Sequence, residues 1–210
     1  MIRIVDLHMY YYDKCILKSV NINIEEGEIT ALSGDSGSGK TTLLNCISGF
    51  IRDYTGKIII DEKEIEKNQY KMVHDVYNRF FSYVMQDISL INTISIEDNC
   101  SLTSASRRHI DDSAFKKRLN QYFDLFEINS IRRKFPFELS GGEKRRAEIA
   151  KALALETKYT ILDEPTSCLD KYNRGLVIEA IKRSRSNIII ASHDKELLEI
   201  SDKTYYVNNK

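Results

Sequence analysis

The segment from Gly34 to Thr41 constrains the fold of this chain more than any other. It follows the pattern G-x-x-x-x-G-K-[ST], and it stands between an apolar run at Ile29–Ser33 and a helix-like stretch at Lys40–Ser48. Glycines let successive backbone N–H groups turn inward toward an anion, and the start of a helix adds the positive end of its dipole. The order strand, loop, helix therefore predicts a site for the phosphates of a nucleotide, rather than an incidental glycine-rich turn.

The residue types of this loop suit ATP and Mg²⁺. Lys40 supplies a positive charge for the β and γ phosphates, and the Thr41 hydroxyl is placed to bind the metal ion. We expect the nucleotide to be surrounded by residues 34–42, which are Gly34, Asp35, Ser36, Gly37, Ser38, Gly39, Lys40, Thr41 and Thr42.

A second apolar run, Tyr159–Leu162, ends in two acids, Asp163 and Glu164. Ligands of open α/β sheets bind at the carboxyl ends of the strands, so Asp163 can reach the Mg²⁺ shell and Glu164 a water that faces the γ phosphate. Acids commonly end strands, and the pair alone is weak support. Together with the glycine-rich loop upstream, it indicates a metal-dependent nucleoside triphosphatase.

The remaining patterns predict a mainly parallel sheet with two additions. Apolar runs at 58–60, 81–85, 159–162 and 187–191 are interleaved with helical stretches, as in a sheet covered on both faces. Alternating residues within 1–33 predict an antiparallel sheet before it. Strand signals stop between about 87 and 156, where one side of a helix is lined by Phe115, Leu119, Tyr122, Phe123 and Phe126. We expect one domain over 1–210 with an inserted helical lobe.

Charge and cysteine usage exclude several classes of protein. Lysine plus arginine and aspartate plus glutamate number 31 each, so no overall positive field favours nucleic acid as a partner. We expect the basic runs 116–118, 132–134 and 144–146 to be solvated. The four cysteines show no metal-ligand spacing, which is typical of reduced thiols in the cytosol. No apolar stretch is long enough to cross a bilayer, and the start lacks the apolar core of a signal peptide.

A third motif, Leu139–Glu143, reads Leu-Ser-Gly-Gly-Glu. A Ser-Gly-Gly turn that opens a helix makes a second anion site, although Ser140 also suits a helix N-cap. The motif resembles the signature of the ABC ATPases, in which the second cradle serves ATP held by another subunit. The resemblance implies nucleotide contacts from Ser140, Gly141, Gly142 and Glu143.

The resemblance covers nearly the whole chain, with the motifs in the family's order. It implies an α/β fold of the P-loop NTPase, ABC type, with an N-terminal antiparallel part and a helical lobe. Gln86 resembles the glutamine that approaches Mg²⁺ and the attacking water, and His193 resembles the histidine that contacts the γ phosphate. With Glu164 they form the expected catalytic set, and Thr41, Gln86 and Asp163 the expected metal set.

Three further segments have counterparts in the family. Tyr11 resembles the aromatic that stacks on adenine, although Tyr10 and Tyr12 leave this assignment open and a core position is the alternative. Residues 167–170 resemble a loop at the dimer seam. The residues that resemble the segment in contact with a transmembrane partner are Leu90, Ile91, Asp98 and Asn99.

Two positions depart from the family's pattern. Asp35 stands where proline is often found, and Cys168 stands where alanine or serine is often found. Neither change removes a catalytic group. We expect Asp35 to face solvent, away from the phosphates.

These observations predict the ATP-binding and hydrolysing subunit of a membrane transporter. The resemblance implies a location on the cytoplasmic face of the membrane, a transmembrane permease partner, and a homodimer or a heterodimer with another ABC ATPase. Efflux of a peptide or lipoprotein is weakly favoured over import. The alternatives are a soluble ABC ATPase acting in assembly or repair, such as an iron-sulfur cluster assembly subunit, and a regulatory module without turnover.

Overall fold

The strand that precedes the glycine-rich loop lies inside a five-stranded parallel sheet. The structure, a computed structural model, describes residues 1–65, 77–107 and 109–208. Its strands are β1 (Ile2–Tyr11), β2 (Lys14–Ile24), β3 (Ile29–Ser33), β4 (Thr55–Ile60), β5 (Lys63–Glu64), β6 (Phe81–Val84), β7 (Tyr159–Asp163), β8 (Asn187–Ala191) and β9 (Lys203–Tyr206). The parallel sheet has the order β6-β7-β8-β3-β9.

The second sheet is antiparallel and has the order β2-β1-β4-β5. It confirms the expectation of an antiparallel sheet for the first part of the chain. Strand β4 extends the predicted 58–60 run back to Thr55, and it lies in this antiparallel sheet, not in the parallel sheet in which the run was expected. Strand β1 reaches Tyr11 and turns directly into β2 at Lys14. The hairpin therefore places its tyrosines at one end of the sheet.

The described residues include six α-helices, of which five have eight to fourteen residues and the last has five. They are α1 (Lys40–Ile47), α2 (Ile96–Ala105), α3 (Asp112–Leu125), α4 (Gly141–Ala154), α5 (Lys171–Arg183) and α6 (Lys195–Glu199). Residues 77–80 are also helical. Two short 3₁₀ turns, Asn129–Ile131 and Pro136–Glu138, lie between α3 and α4.

Strand β8 shows how the parallel sheet separates two hydrophobic clusters. All five of its residues are buried, which is the pattern of a strand covered on both faces. Because side chains alternate along a strand, Ile188 and Ile190 pack in the cluster with α4 and α5, whereas Ile189 packs with α1 and the antiparallel sheet. The central sheet is therefore held from both sides.

Helix α3 buries the aromatic stripe predicted from the sequence. Phe115, Leu119 and Phe123 are buried together with Phe126, which caps the helix, and Tyr122 lies at the edge of the cluster. Asp111 caps the start of the helix, since its side chain accepts a hydrogen bond from the Ala114 N–H. The stripe packs α3 against α4, as its helical spacing requires.

The structure corrects the expectation for one basic run and adds a strand that was not predicted. The basic run 144–146 is not wholly solvated, because Arg145 is 3% exposed and donates to backbone carbonyls. Strand β9 was not anticipated; it pairs in parallel with β3 at the sheet edge, although Tyr206 on it is 61% exposed. Its short run of alternating residues resembles a surface segment in sequence.

We expect Phe123→Ala to lower the free energy of unfolding by about 3 to 5 kcal/mol, because the fully buried ring would leave a cavity. For a chain of this size, each kcal/mol lowers the melting temperature by roughly 2 to 4 °C. Thermal unfolding followed by circular dichroism measures the effect. Lys117→Ala, at an exposed position of the same helix, serves as the control. A melting temperature equal to that of the wild type would contradict this account of the stripe.

Candidate functional site

The glycine-rich loop forms a cradle whose shape depends on its glycines. Gly34 has φ of 147°, and a Cβ there would lie 2.5 Å from the Val207 carbonyl oxygen and 2.7 Å from Ser38 Oγ. Gly39, the N-cap of α1, has φ of 99°, a left-handed conformation that other residues rarely adopt. The loop thus reaches the helix start through positions that exclude side chains.

Polar atoms converge inside this cradle. Lys40 is 8% exposed, and its ammonium donates to the carbonyls of Gly34, at 2.8 Å, and Asp35, at 3.0 Å. Ser38 Oγ is buried and has no hydrogen-bond partner among the described residues. A buried hydroxyl without a partner beside a lysine is the environment in which a phosphate oxygen would be stabilised.

The remaining loop residues lie where the sequence suggested. Asp35 is exposed, which confirms that its carboxylate faces solvent, and Ser36, Gly37 and Thr41 are exposed as well. Thr42 is half-buried one position further along α1. The side chain that departs from the family's pattern therefore places no charge inside the cradle.

Thr41 and Asp163 are brought together across the sheet. The Thr41 hydroxyl donates to Asp163 Oδ2 at 2.7 Å, and Asp163 ends β7 at 1% exposure. Burial raises the pKa of Asp163, the like charge of Glu164 also raises it, and the Thr41 hydrogen bond and Lys40 lower it in part. A carboxylate and a hydroxyl at this distance are hard oxygen donors of the kind that Mg²⁺ prefers.

These two donors do not make a complete metal site. Among the described residues there is no group of three or more His, Cys, Asp or Glu side chains that could hold an ion. A Mg²⁺ ion at Thr41 and Asp163 would need its other ligands from phosphate oxygens and water, which is how Mg²⁺ usually binds. The donor set therefore fits a metal that arrives with a nucleotide.

Glu164 and His193 meet at the ends of neighbouring strands. Glu164 has φ of 46°, and its N–H donates to the Ala191 carbonyl at 2.9 Å. Its Oε1 lies 3.0 Å from His193 Nδ1, and its Oε2 accepts from Ser192 Oγ at 3.1 Å. The two side chains expected to act together are thus in direct contact.

Ser192 is the residue of this group that sequence reasoning missed. It is fully buried, donates to Glu164 and accepts from the Asp194 N–H at 3.1 Å. The only signal in the sequence was its position directly before His193. Because Ser192 holds one carboxylate oxygen and His193 the other, the orientation of Glu164 is set at both ends.

Gln86 is separate from these contacts. It follows β6, its residue is exposed, and no hydrogen bond joins its side chain to Thr41, Asp163 or Glu164. Its backbone carbonyl instead accepts from Arg145 Nη2. The structure places Gln86 beside the sheet edge without bringing its side chain to the metal donors.

The Ser140 turn is an N-cap with a reciprocal partner. Ser140 Oγ accepts from the Glu143 N–H at 3.3 Å, and Glu143 Oε2 accepts from the Ser140 N–H at 2.9 Å and its hydroxyl at 2.7 Å. These bonds lower the pKa of Glu143. Gly141 and Gly142 complete the first turn of α4. The expected helix-cap role is therefore present.

An open cleft of about 570 Å³ lies over this turn. It is lined by Ser140, Gly141, Gly142, Glu143, Arg146, Cys168, Leu169, Asp170 and Asn173. No residue of the loop at 34–42 lines it, so this cleft and the glycine-rich loop are separate features of the described part of the chain. Cys168 reaches the cleft with φ of 65°, in the left-handed region.

Three adjacent tyrosines line another open cleft, of about 740 Å³, formed by residues 8–12 and 50–55. Tyr10, Tyr11 and Tyr12 are 50%, 53% and 99% exposed. The alternative that Tyr11 is a core residue is therefore wrong. Exposure does not choose among the three rings, and which one would stack on a base stays open.

The residues expected near a transmembrane partner divide by burial. Ile91 is 50% exposed and Asp98 is exposed, whereas Leu90 is 8% and Asn99 4% exposed. The Asn99 side chain bonds the backbone N–H of Ile91 at 2.8 Å and its carbonyl at 3.1 Å. Asn99 therefore supports the segment from within. No helix in the described ranges is both apolar enough and long enough to cross a bilayer.

Comparison with known proteins gives a consistent result. Residues 17–167 match the model of the protein family described as ABC transporter. A putative ABC transporter ATP-binding protein of Archaeoglobus fulgidus is 32% identical over 215 residues, which cover 100% of this chain and 72% of that relative. The expected fold class is confirmed by a solved dimeric structure of the ATP-binding cassette MJ0796 with ADP and Pi. It has a TM-score of 0.91 and 24% identity, and the match covers 100% of this chain and 95% of that one.

One relative, which is longer than this chain, is named as the ATP-binding protein of an import system. The putative 2-aminoethylphosphonate import ATP-binding protein PhnT of Salmonella typhimurium is 30% identical over 203 residues. The alignment covers 94% of this chain but only 53% of that protein. This chain therefore spans about half the length of that relative.

Because the charge of Asp163 is buried, we predict that its removal raises the thermal stability of the chain by an amount that depends on pH. The folded carboxyl has a raised pKa, so its stabilising contribution is present below the unfolded pKa and is lost as pH rises through the folded value. We expect Asp163→Asn to raise the melting temperature at pH 7 without nucleotide, and the gain to shrink toward pH 4. Calorimetry at both pH values measures it, with the exposed Asp13→Asn as control. An equal shift at both pH values would contradict the prediction.

Proposed function

This chain belongs to the ABC transporter family, and from that premise we propose how its residues bind ATP and drive a membrane transporter. The chain is an ATPase, and its general role is that of an ATP-binding subunit. The single observation that carries this proposal is the presence of two separate features at helix starts, to which we assign contacts with phosphate. One is the loop at 34–42, and the other is the Ser140 cleft, which contains none of those residues.

In the proposed assembly, two copies of the chain, or this chain and a related ATPase, face each other. The loop at 34–42 of one subunit and residues 140–143 of the other enclose each ATP. Backbone N–H groups and Lys40 bind the phosphates, and the ring of Tyr11, or of a neighbouring tyrosine, stacks on adenine. ATP bound at this seam would join the two subunits.

Mg²⁺ is the proposed metal, held by Thr41 and Asp163, with Gln86 approaching when nucleotide is bound. The ion, when present, neutralises charge on the phosphate oxygens. The Thr41–Asp163 contact of 2.7 Å supports this assignment, because both oxygens already face one point. The buried Asp163 carboxylate gains from a cation that offsets the cost of its burial.

Glu164 is the proposed general base. It accepts a proton from the water that attacks the γ phosphate, so that the phosphoryl group passes to water. A general base typically contributes about 10² to 10⁴ in rate. Ser192 and His193 hold its two oxygens at 3.1 and 3.0 Å, which orients the carboxylate. His193, with 81% of its side chain exposed, is also free to reach the γ phosphate.

We propose that residues 1–210 form one nucleotide-binding domain with a helical lobe at about 87–156. The shared clusters on both faces of the parallel sheet support this division.

Hydrolysis removes the phosphate that both subunits bind, and the loosened pair shifts a permease between two conformations. The chain would therefore lie against the cytoplasmic face of a membrane.

The transported molecule is proposed to be selected by the permease. The sequence favours efflux of a peptide or lipoprotein, whereas the Salmonella relative is named for import of 2-aminoethylphosphonate. The same nucleotide-handling part suits either direction. Transport assays with a membrane protein that co-purifies with this chain would decide between uptake and efflux.

We expect Glu164→Gln to reduce the ATPase rate at least about 100-fold while ATP binding is retained, because the amide cannot accept the proton. The variant should accumulate as a dimer with ATP in size-exclusion chromatography. Phosphate release measures the rate. Glu199→Gln, an exposed glutamate at the end of α6, is the matched control and should behave as the wild type. An unaltered rate in Glu164→Gln would refute the assignment.

A complementation experiment tests the shared site. Lys40→Ala should lose nucleotide affinity at the loop of its own subunit, and Ser140→Arg should block the contact of its own Ser140 turn with ATP held by the other subunit. Each variant alone should be inactive. In a mixture of the two variants, one site of each dimer that contains both has an intact loop and an intact Ser140 turn, so ATPase activity should return. A mixture as inactive as either variant would show that the two cradles do not combine between copies of this chain.

A further inference from the structure

Arg145 carries a buried charge, and it is not among the residues to which the proposed function assigns a role. It lies in the second turn of α4, the helix that begins with the Ser140 turn, and it is 3% exposed. Its Nη1 donates to the Met85 carbonyl at 2.5 Å, and its Nη2 donates to the Gln86 carbonyl. The guanidinium therefore grips the backbone of residues 85–89, which we call the Gln86 segment.

The same guanidinium faces the turn that follows β7. Arg145 Nη2 lies 3.4 Å from Ser167 Oγ, and that hydroxyl donates to the Glu164 carbonyl at 2.8 Å. One side chain is thus linked to the backbone of Gln86 directly and to the backbone of Glu164 through a single hydroxyl.

A second buried charge on α4 secures the far end of the Gln86 segment. Glu148 is 1% exposed, and its Oε1 accepts from the Ser89 N–H at 2.5 Å and from the Ser89 hydroxyl at 2.9 Å. Its Oε2 has no hydrogen-bond partner among the described residues and lies 3.7 Å from Arg145 Nη1. The two charges hold the segment at both ends.

Burial makes this arrangement restrictive. A buried charge is tolerated only while its partners stay in place, and the planar fork of arginine matches a pair of acceptors that lysine cannot bridge. Any shift of the Gln86 segment against α4 would remove the hydrogen-bond partners that Arg145 and Glu148 have on this segment. These contacts therefore hold the Gln86 segment and the Glu164 turn in place against the helix, and we call these two the tied segments.

We propose that Arg145 is a positioning residue for ATP hydrolysis, which sets Gln86 and Glu164 in place relative to the helix that starts at Ser140. The inference rests on the proposed function, since it takes Glu164 as the base. Arg145 makes no hydrogen bond to residues 34–42, so its loss acts on turnover and leaves nucleotide binding by the loop intact.

The test compares Arg145→Lys and Arg145→Gln with the wild type in the full chain. We expect kcat for ATP to fall about 10- to 100-fold, because misplacement of reacting groups by about 1 Å costs about 10² in rate. KM and the affinity for a fluorescent ATP analogue should stay within about threefold, since Arg145 makes no hydrogen bond to the loop at 34–42, to which phosphate binding is assigned.

The matched control is Arg118→Gln. Arg118 also donates to a backbone carbonyl, that of Ala154 at 2.7 Å, and pairs with Glu156 at 3.2 Å, yet it contacts neither tied segment. It should keep the wild-type kcat. An equal loss of kcat in Arg118→Gln and Arg145→Gln would overturn the proposal.

A double-mutant cycle separates positioning from a general loss of structure. If Arg145 acts through Gln86, the factor by which Arg145→Gln lowers kcat is smaller in a Gln86→Ala background than in the wild type. Equal factors in both backgrounds would overturn the link to Gln86.

Ser89→Ala covers the case in which the Arg145 variants do not fold. It keeps both buried charges and removes one hydrogen bond to Glu148. We expect a smaller loss of kcat with unchanged KM, and a wild-type kcat in the folded variant would overturn the proposal. A wild-type chain without ATPase activity would instead contradict the proposed function, whereas an active wild type with unchanged variants would contradict this inference alone.

Discussion

The register of the parallel sheet is the constraint on which the rest of the structure depends. Ala191 of β8 lies opposite Leu32 of β3 on one side and Asp163 of β7 on the other, so the ends of the three strands lie within one residue of each other. Beyond that level, the Ser192 N–H donates to the Leu32 carbonyl and the Glu164 N–H to the Ala191 carbonyl. The loop and the acidic and histidine groups therefore meet at one edge.

This edge is rigid because both faces of the sheet are covered. Helix α1 and the antiparallel sheet pack on one face, and α4 and α5 pack on the other. Functional side chains held by packed strands keep their geometry better than side chains on free loops. The contacts of Glu164 with Ser192 and His193 are an example, since Glu164 and Ser192 directly follow buried strands and His193 comes one residue later.

The helical lobe is joined to this edge through polar as well as apolar contacts. Its aromatic stripe packs against α4, and α4 carries the Ser140 turn at one end and the buried charges Arg145 and Glu148 in its middle. Those charges bind residues 85–89, which follow the edge strand β6 of the parallel sheet. The Ser140 turn is thus connected to the proposed base through α4 and the hydrogen bonds that its buried charges make.

Much of this could be predicted because it depends on local patterns. The strand at Ile29–Ser33 and the strand at Asn187–Ala191 were predicted at their observed bounds, since both are continuous apolar runs between turn residues. The edge strand β9 was missed because its alternating, half-exposed residues look like surface. Arg145 was placed among solvated charges because a run of basic residues says nothing about which member points inward.

The sequence by itself determined the family, the phosphate cradle and the residue types at the strand ends, because glycine, lysine and acidic residues at these spacings have few other uses. Only the tertiary structure decided which groups touch. It put Thr41 against Asp163, placed Ser192 and His193 on the two oxygens of Glu164, and buried Arg145 between segments far apart in the chain. The physical reason is that such contacts depend on strand register and on burial, which are set by packing of the whole chain.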